Sequence, residues 1–341
     1  MDHKIIPLFG LIFVLFACFS SGGTNTGNST NSSAIEELTC NLTNAAPTPT
    51  ANSWAYWLAD IDINELTGTS FDLLVIDYAS DGSEDTEFTA QEITTLKNSG
   101  KTVLAYMSIG EAEVDRFYWD ASWIDNNGTV TNAAPDWLAE SNPNFPDNYE
   151  VRYWEADWQN IIFGTTAGAN KSYLDRIIDA GFNGVYLDII DAYEYFGPNG
   201  EEPENDNAGE DMITFVRAIA DYARNTRGVS DFMVFPQNGA MILDEESACD
   251  YLNDINGLGA EDTFYYGDED NNNDLDLDNI DTITPYLNTF VSHDKLVLAI
   301  DYVQEADKVD DFYERAQNLG YLPYASVREL NTLTINTGHD P

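Results

Sequence analysis

A short apolar run that ends in an acid, Gly184-Val185-Tyr186-Leu187-Asp188, constrains this chain more than any other stretch. It follows a helically periodic segment at 173–180, and Gly181 is the residue type that ends a helix in the left-handed conformation. An apolar strand of this kind is buried on both faces, as in a parallel sheet. A carboxylate at its end is costly unless it is paired, hydrogen-bonded or used. The same grammar recurs at Asp77, Glu111, Glu261 and Asp301. In a β/α barrel, catalytic groups collect at the C-terminal ends of the strands.

Strand-like runs recur at 54–58, 72–77, 102–108, 149–154, 184–188, 232–236, 257–261 and 296–301. Helically periodic stretches at 90–98, 171–180, 208–226 and 308–318 fall between several of them. Alternation of this sort implies a parallel sheet with right-handed crossovers, and eight strands predict an α/β fold, a (β/α)8 TIM-type barrel. A ninth run at 321–326 means that one strand lies outside the barrel. An open doubly wound sheet fits less well, because no glycine-rich phosphate loop follows the first strand.

Strand-end carboxylates suit glycoside hydrolysis, which needs one protonated acid and one ionised carboxylate. Asp188 and Glu261 form the expected pair. Glu261 ends Gly257-Leu258-Gly259-Ala260, whose small residues would let a backbone or ligand approach closely. Asp77, Tyr78, Tyr106, Glu111, Asp191, Gln237, Asn238, Tyr265, Asp301 and Tyr302 are the expected substrate-binding residues around them. The three histidines, His3, His293 and His339, lie near the termini or in a loop, which argues against a histidine triad or a zinc site. Asp268, Asp270, Asn272 and Asp274 alternate like calcium ligands, but Asn273 and Asn279 stand where a calcium loop carries Gly and Glu. A solvated acidic insertion is the simpler reading, and no cofactor is expected.

Sixty acids against 14 bases give a net charge of −46. Nothing here could neutralise phosphates, so nucleic acid is excluded as a partner. The charge suits an acidic surface in a salty habitat, an attraction for a cationic substrate, or both. Residues 1–17 read as a signal peptide, with Leu15-Phe16-Ala17-Cys18 resembling a bacterial lipobox. Cys18 would then carry lipid, 18–52 would be a flexible tether, and 53–341 the catalytic domain. The expected location is the cell surface or outer membrane, or the medium if the signal is simply cleaved. Export would leave Cys40 and Cys249 as an even pair able to form a bridge. A monomer is expected.

Segments 72–78, 103–113, 180–191, 259–265, 296–303 and 320–326 together resemble glycoside hydrolase family 114, the endo-α-1,4-polygalactosaminidases. The resemblance spans about 54–328, and the acidic segment 268–281 is extra to its pattern. It implies a (β/α)8 barrel that hydrolyses α-1,4-linked galactosamine polymers, with the catalytic Asp and Glu at Asp188 and Glu261. A cationic amino-sugar polysaccharide is then the expected partner. In a retaining enzyme Asp188 would be the nucleophile and Glu261 the acid/base, with carboxyls about 5–5.5 Å apart. The rival expectation is a barrel that binds polysaccharide without cutting it.

Overall fold

The computed structural model of the protein describes residues 38–341 except 44, 166, 167, 169, 170 and 268. The expected signal peptide, Cys18 and the first part of the tether lie outside them. The chain begins its barrel with β1 (Trp54–Trp57), β2 (Leu73–Ile76) and β3 (Thr102–Ser108), separated by α1 (Ile63–Thr67) and α2 (Ala90–Asn98). It then leaves the barrel for a three-stranded antiparallel sheet of β4 (Glu111–Glu113), β5 (Leu138–Ser141) and β6 (Asn148–Val151). Two helices, α3 (Ala156–Ile162) and α4 (Tyr173–Ala180), lead back to β7 (Gly184–Asp188). Next come α5 (Ala192–Phe196), α6 (Ala208–Asp221), β8 (Met233–Pro236), α7 (Ala248–Asp254) and β9 (Gly257–Glu261). The chain ends with α8 (Leu277–Ser292), β10 (Leu296–Asp301), α9 (Ala306–Asn318) and β11 (Leu322–Ala325).

Eight of these strands are the staves of a TIM-type barrel, in two parallel arcs ordered β1-β2-β3-β7-β8 and β9-β10-β11. At one seam Gln237 bridges Gly259 in parallel, and the Asn238 N–H donates to the Gly259 carbonyl at 2.9 Å. At the other seam the Trp54 indole N–H donates to the Leu322 carbonyl at 2.8 Å. The run at 149–154 is the one outside the barrel, because β6 pairs antiparallel with β4 and β5. The run at 321–326 takes its place as the last stave.

Local signals account for several element ends. Gly181 ends α4 at φ 88°, in the left-handed region. Thr89 and Glu92 close a reciprocal capping box on α2, a device whose cap alone contributes about 1 kcal/mol. Helix α8, beginning in the acidic stretch, starts where the Asp276 carboxylate accepts the N–H groups of Asp278 and Asn279.

Aromatic side chains fill the barrel interior. Tyr56 and Tyr186 meet at 5.2 Å between centroids, and Trp54 and Tyr324 at 5.7 Å. This explains the glycines of β9. A Cβ on Gly259 would sit 1.8 Å from the Tyr186 hydroxyl, and one on Gly257 would sit 2.2 Å from the Phe235 ring. The small residues of β9 therefore make room for core aromatics rather than for a ligand.

Cys40 and Cys249 form a disulfide, with Cα atoms 5.3 Å apart. The segment after Cys40 is pinned to the barrel as well. The Ala46 N–H donates to the Asn253 carbonyl at 2.9 Å, and the Asn256 amide donates to the Pro47 carbonyl at 2.7 Å. That part of the expected 18–52 tether is thus fixed in place.

Candidate active site

Asp188 ends β7 and Glu261 ends β9, the fourth and sixth staves in chain order. Asp188 is 2% exposed and accepts one side-chain hydrogen bond, from the Tyr106 hydroxyl at 2.7 Å. Tyr106 reaches it because β3 and β7 pair with Ser108 beside Asp188 and Tyr106 beside Tyr186. Ile189, at φ 58°, turns the chain sharply past the acid. Burial first, and then the charge of Glu261, push the Asp188 carboxyl well above the usual carboxylate range.

Glu261 is half-buried and sits in a cradle of neutral donors. The Asn238 amide donates to Oε2 at 2.9 Å, while Asn238 Oδ1 accepts the Glu261 N–H at 3.0 Å. Holding both bonds places Asn238 at φ 59°, a conformation that Asn adopts more readily than most residues. The Gln237 amide also donates to Oε2, and its own carbonyl accepts the Tyr56 hydroxyl at 3.0 Å. The Tyr302 hydroxyl donates to Oε1. Burial raises the Glu261 carboxyl, and the bonds from Tyr302 and Asn238 oppose the rise.

Of the expected substrate-binding residues, Tyr106, Gln237, Asn238 and Tyr302 touch the acid pair. Asp191, at the start of α5, is raised by burial, then by Glu194, Glu111 and Glu261. Glu111 lies on β4, with its oxygens held by the amides of Asn142 at 2.8 Å and Asn148 at 3.1 Å. Its carboxyl is pushed up to about 7, chiefly by burial.

Four of the expected residues have partners within the fold. Asp77 is an ion-pair residue. The Arg116 guanidinium donates to its oxygens at 3.1 and 2.8 Å, and the Ala79 N–H donates at 2.9 Å. Tyr78 packs on the same guanidinium, 5.4 Å from the ring centroid, and on Tyr173. Asp301 accepts three backbone N–H groups, from Thr263, Phe264 and Tyr265 at 2.8–3.0 Å, and so clamps the loop after Glu261. The Tyr265 hydroxyl turns to α9 and donates to Asp311 at 2.7 Å.

The acidic stretch read as an alternative calcium loop is tied down by cationic side chains. Lys308 donates to the carbonyls of Asn272 and Asn273 at 2.6 and 2.9 Å, and to Asp274 at 3.3 Å. Arg328 takes the Asp270 carbonyl at 2.8 Å, and Asn272 Oδ1 accepts the N–H groups of Gln304 and Glu305. Lysine and arginine thus take three backbone carbonyls and one Asp274 oxygen of this stretch. Asp268 is outside the described residues.

Arg116, Arg328, Tyr56 and Glu150 escaped the sequence reading. Arg328 forms a two-pronged pair with Asp262, both bonds at 2.9 Å, and lies over the Tyr302 ring at 4.2 Å. No local pattern marks the roles of Arg328, Tyr56 and Glu150, because their partners are far away in sequence, and Arg116 shows only its nearer partner, Glu113, locally.

The family model described as glycoside-hydrolase family GH114 matches residues 36–339. Uncharacterized protein MJ1477 of Methanocaldococcus jannaschii is 39% identical over 289 residues, covering 82% of this chain and 77% of its own. A Thermotoga maritima protein is 35% identical over 302 residues, covering 85% of each. The fold is similar to that of the PelA glycoside hydrolase domain from Pseudomonas aeruginosa, with TM-score 0.59 and 18% identity, covering 84% of this chain and 99% of that one. It is also similar to Aspergillus fumigatus Ega3, solved as a complex with galactosamine, with TM-score 0.56 and 18% identity, covering 86% and 99%.

Proposed function

The chain belongs to glycoside hydrolase family 114, and on that premise we propose that it is an exported endo-acting hydrolase of α-1,4-linked galactosamine polysaccharide. The observation that carries this reading is the Asp188–Glu261 pair. Two carboxyls stand at the ends of β7 and β9, with β8 between them, each beside a donating tyrosine, and the charge of Glu261 raises Asp188. Burial and mutual charge favour one shared proton on such a pair, the state that acid-assisted cleavage needs. The likeness to Ega3, solved with galactosamine, supports an amino sugar as the substrate.

We assign Asp188 as nucleophile and Glu261 as acid/base. Two features pull in opposite directions. The donors around Glu261 favour its ionised form in the empty site, which would suit a nucleophile. Exposure favours the assignment made here. An acid/base must meet the leaving sugar and then incoming water, and Glu261 is half-buried where Asp188 is 2% exposed. Access outweighs the resting proton, because a cationic sugar over Asp188 would lower that carboxyl and shift the proton to Glu261.

In the reaction, Asp188 Oδ bonds to the anomeric carbon as Glu261 protonates the departing glycosidic oxygen. Glu261 then takes a proton from water as that water displaces Asp188. The deciding experiment incubates the purified protein with partly deacetylated galactosaminan and reads oligosaccharides by mass spectrometry. Products establish the activity. Binding without products favours a polysaccharide-binding barrel instead.

Tyr302→Phe provides a finer test. The hydroxyl favours the charged form of Glu261, so its loss should raise the Glu261 pKa. With Glu261 as the acid, the alkaline limb of the kcat/KM profile should move to higher pH. An unmoved limb would mean that another group carries the proton.

A further inference from the structure

One guanidinium ties together the C-terminal ends of the last three staves. Asp262 follows β9, Tyr302 follows β10 and Arg328 follows β11. Both terminal nitrogens of Arg328 donate to the buried Asp262, and the guanidinium lies 4.2 Å over the Tyr302 ring. The acidic stretch fixes the arginine from behind. Its Nε donates to the Asp270 carbonyl at 2.8 Å, and its backbone N–H donates to Asn271 Oδ1 at 3.0 Å. The next residue, Asn272, donates its N–H to the Tyr302 carbonyl at 2.7 Å. Ring and backbone of Tyr302 are therefore both held.

Neutralising Asp262 would not by itself require this arrangement. A lysine could supply the charge, whereas a planar guanidinium can fork onto a carboxylate at its edge and stack on an aromatic ring with its face. Arg328 uses both. What the stack holds is the ring whose hydroxyl donates to Glu261 Oε1. The other acid has a looser version of the same device. Arg116 pairs with Asp77 and lies 6.0 Å from the ring of Tyr106, the donor to Asp188.

We propose that Arg328 is a positioning residue for the acid/base, and that by stacking on Tyr302 while forked to Asp262 it holds the Tyr302 hydroxyl on Glu261. The inference rests on the functional reading above for the role of Glu261, and it deepens that reading. Glu261 lies within the field of Asp188, Asp191, Asp262, Tyr56, Tyr186 and Tyr302, with Arg328 as the cation among them. The charge of Arg328 lowers the Glu261 carboxyl and that of Asp262 raises it. Arg328→Lys keeps the charge and loses the fork and the flat face, so it separates placement of the hydroxyl from charge alone.

The test titrates the Glu261 carboxyl in the protein without substrate by carbon-13 NMR, its signal identified by its absence in Glu261→Gln. Arg328→Lys should raise the pKa, because a loosened Tyr302 hydroxyl no longer favours the charged form. In a Tyr302→Phe background the same change should have no effect. The alkaline limb of the kcat/KM profile should follow, moving up in Arg328→Lys and no further in the double variant. In Arg328→Lys kcat should fall about tenfold with KM within about twofold of wild type. A carboxyl that titrates as in wild type would overturn the proposal, even if the variant melts lower, since Arg328 would then only brace the loop. An equal rise in both backgrounds would overturn it too, because Arg328 would then act on Glu261 without Tyr302.

Should Arg328→Lys fail to fold, Arg328→Gln in the same two backgrounds replaces it. Its lost charge raises the carboxyl in both, and the rise should be larger where Tyr302 is present; equal rises refute the proposal. Failure of wild-type protein to cut the polymer would instead refute the functional reading, and the titration would still decide whether Arg328 places the hydroxyl.

Discussion

Purified Asp188→Asn protein should lose at least about a thousandfold in kcat, roughly 4 kcal/mol of transition-state stabilisation, while melting no lower than wild type. The two effects come from the same burial. An amide cannot attack the anomeric carbon, so turnover falls. The Asp188 carboxyl is raised well above its ordinary value by burial and by Glu261. Well below about pH 4 it is neutral in the folded and unfolded chain alike. As pH rises, the unfolded chain ionises first, and stability is lost until the folded group follows. Asparagine removes that loss, so the melting temperature of the variant should exceed that of wild type by a margin that widens as pH rises above about 4. A variant that is both inactive and less stable at pH 8 would show that Asp188 is a structural acid. Glu261→Gln should be equally impaired on the polymer. With a substrate that has a good leaving group, it should regain turnover in azide and Asp188→Asn should not, because azide replaces the water that Glu261 activates.

Arg116→Met should cause the largest loss of stability of any single substitution considered, about 3–5 kcal/mol in urea unfolding. Arg116 is 3% exposed and holds two acids, Asp77 through both terminal nitrogens and Glu113 at 2.6 and 3.0 Å. Asp77 itself is fully buried, and Glu113 is 4% exposed. Methionine would keep much of the volume between the rings of Tyr78, Tyr106 and Tyr173, but it would leave two buried carboxylates without their cation. The double change with Asp77→Asn should recover part of the loss. A cost below about 1 kcal/mol would mean that water or protonation relieves both acids. Activity should fall as well, since Tyr106 touches both the guanidinium and Asp188.

The barrel strands are legible in sequence because a strand buried on both faces has no polar positions to interrupt its apolar run. Seven of the eight barrel strands follow directly from such runs. The run at 149–154 misleads for the same reason. β6 is buried too, but against β4 and β5, and nothing local distinguishes an antiparallel insert from a stave. The acids divide in a similar way. Asp77 and Asp301 end strands as Asp188 does, yet one neutralises a guanidinium 39 residues away and the other caps the backbone at 263–265. A strand-end carboxylate is visible locally, whereas its partner depends on the tertiary fold. Glu150 was illegible for a further reason, since only the strand register sets it against Glu111.

The disulfide between Cys40 and Cys249 spans 209 residues of sequence. All of β1 through β8 lie between its two ends, along with the irregular stretch from β4 to β5. A protease that cuts within that stretch breaks the chain without releasing either piece. The upstream fragment, which carries Tyr106, stays bonded to the fragment that carries Asp188 and Glu261, so the hydroxyl that donates to Asp188 keeps one covalent frame with both acids after the break. Damage of this kind would be invisible to size under oxidising conditions and would show only when the bridge is reduced. For a protein expected to work outside the cell, among proteases, the bridge acts as a retaining clip on the site as well as a brace for the fold.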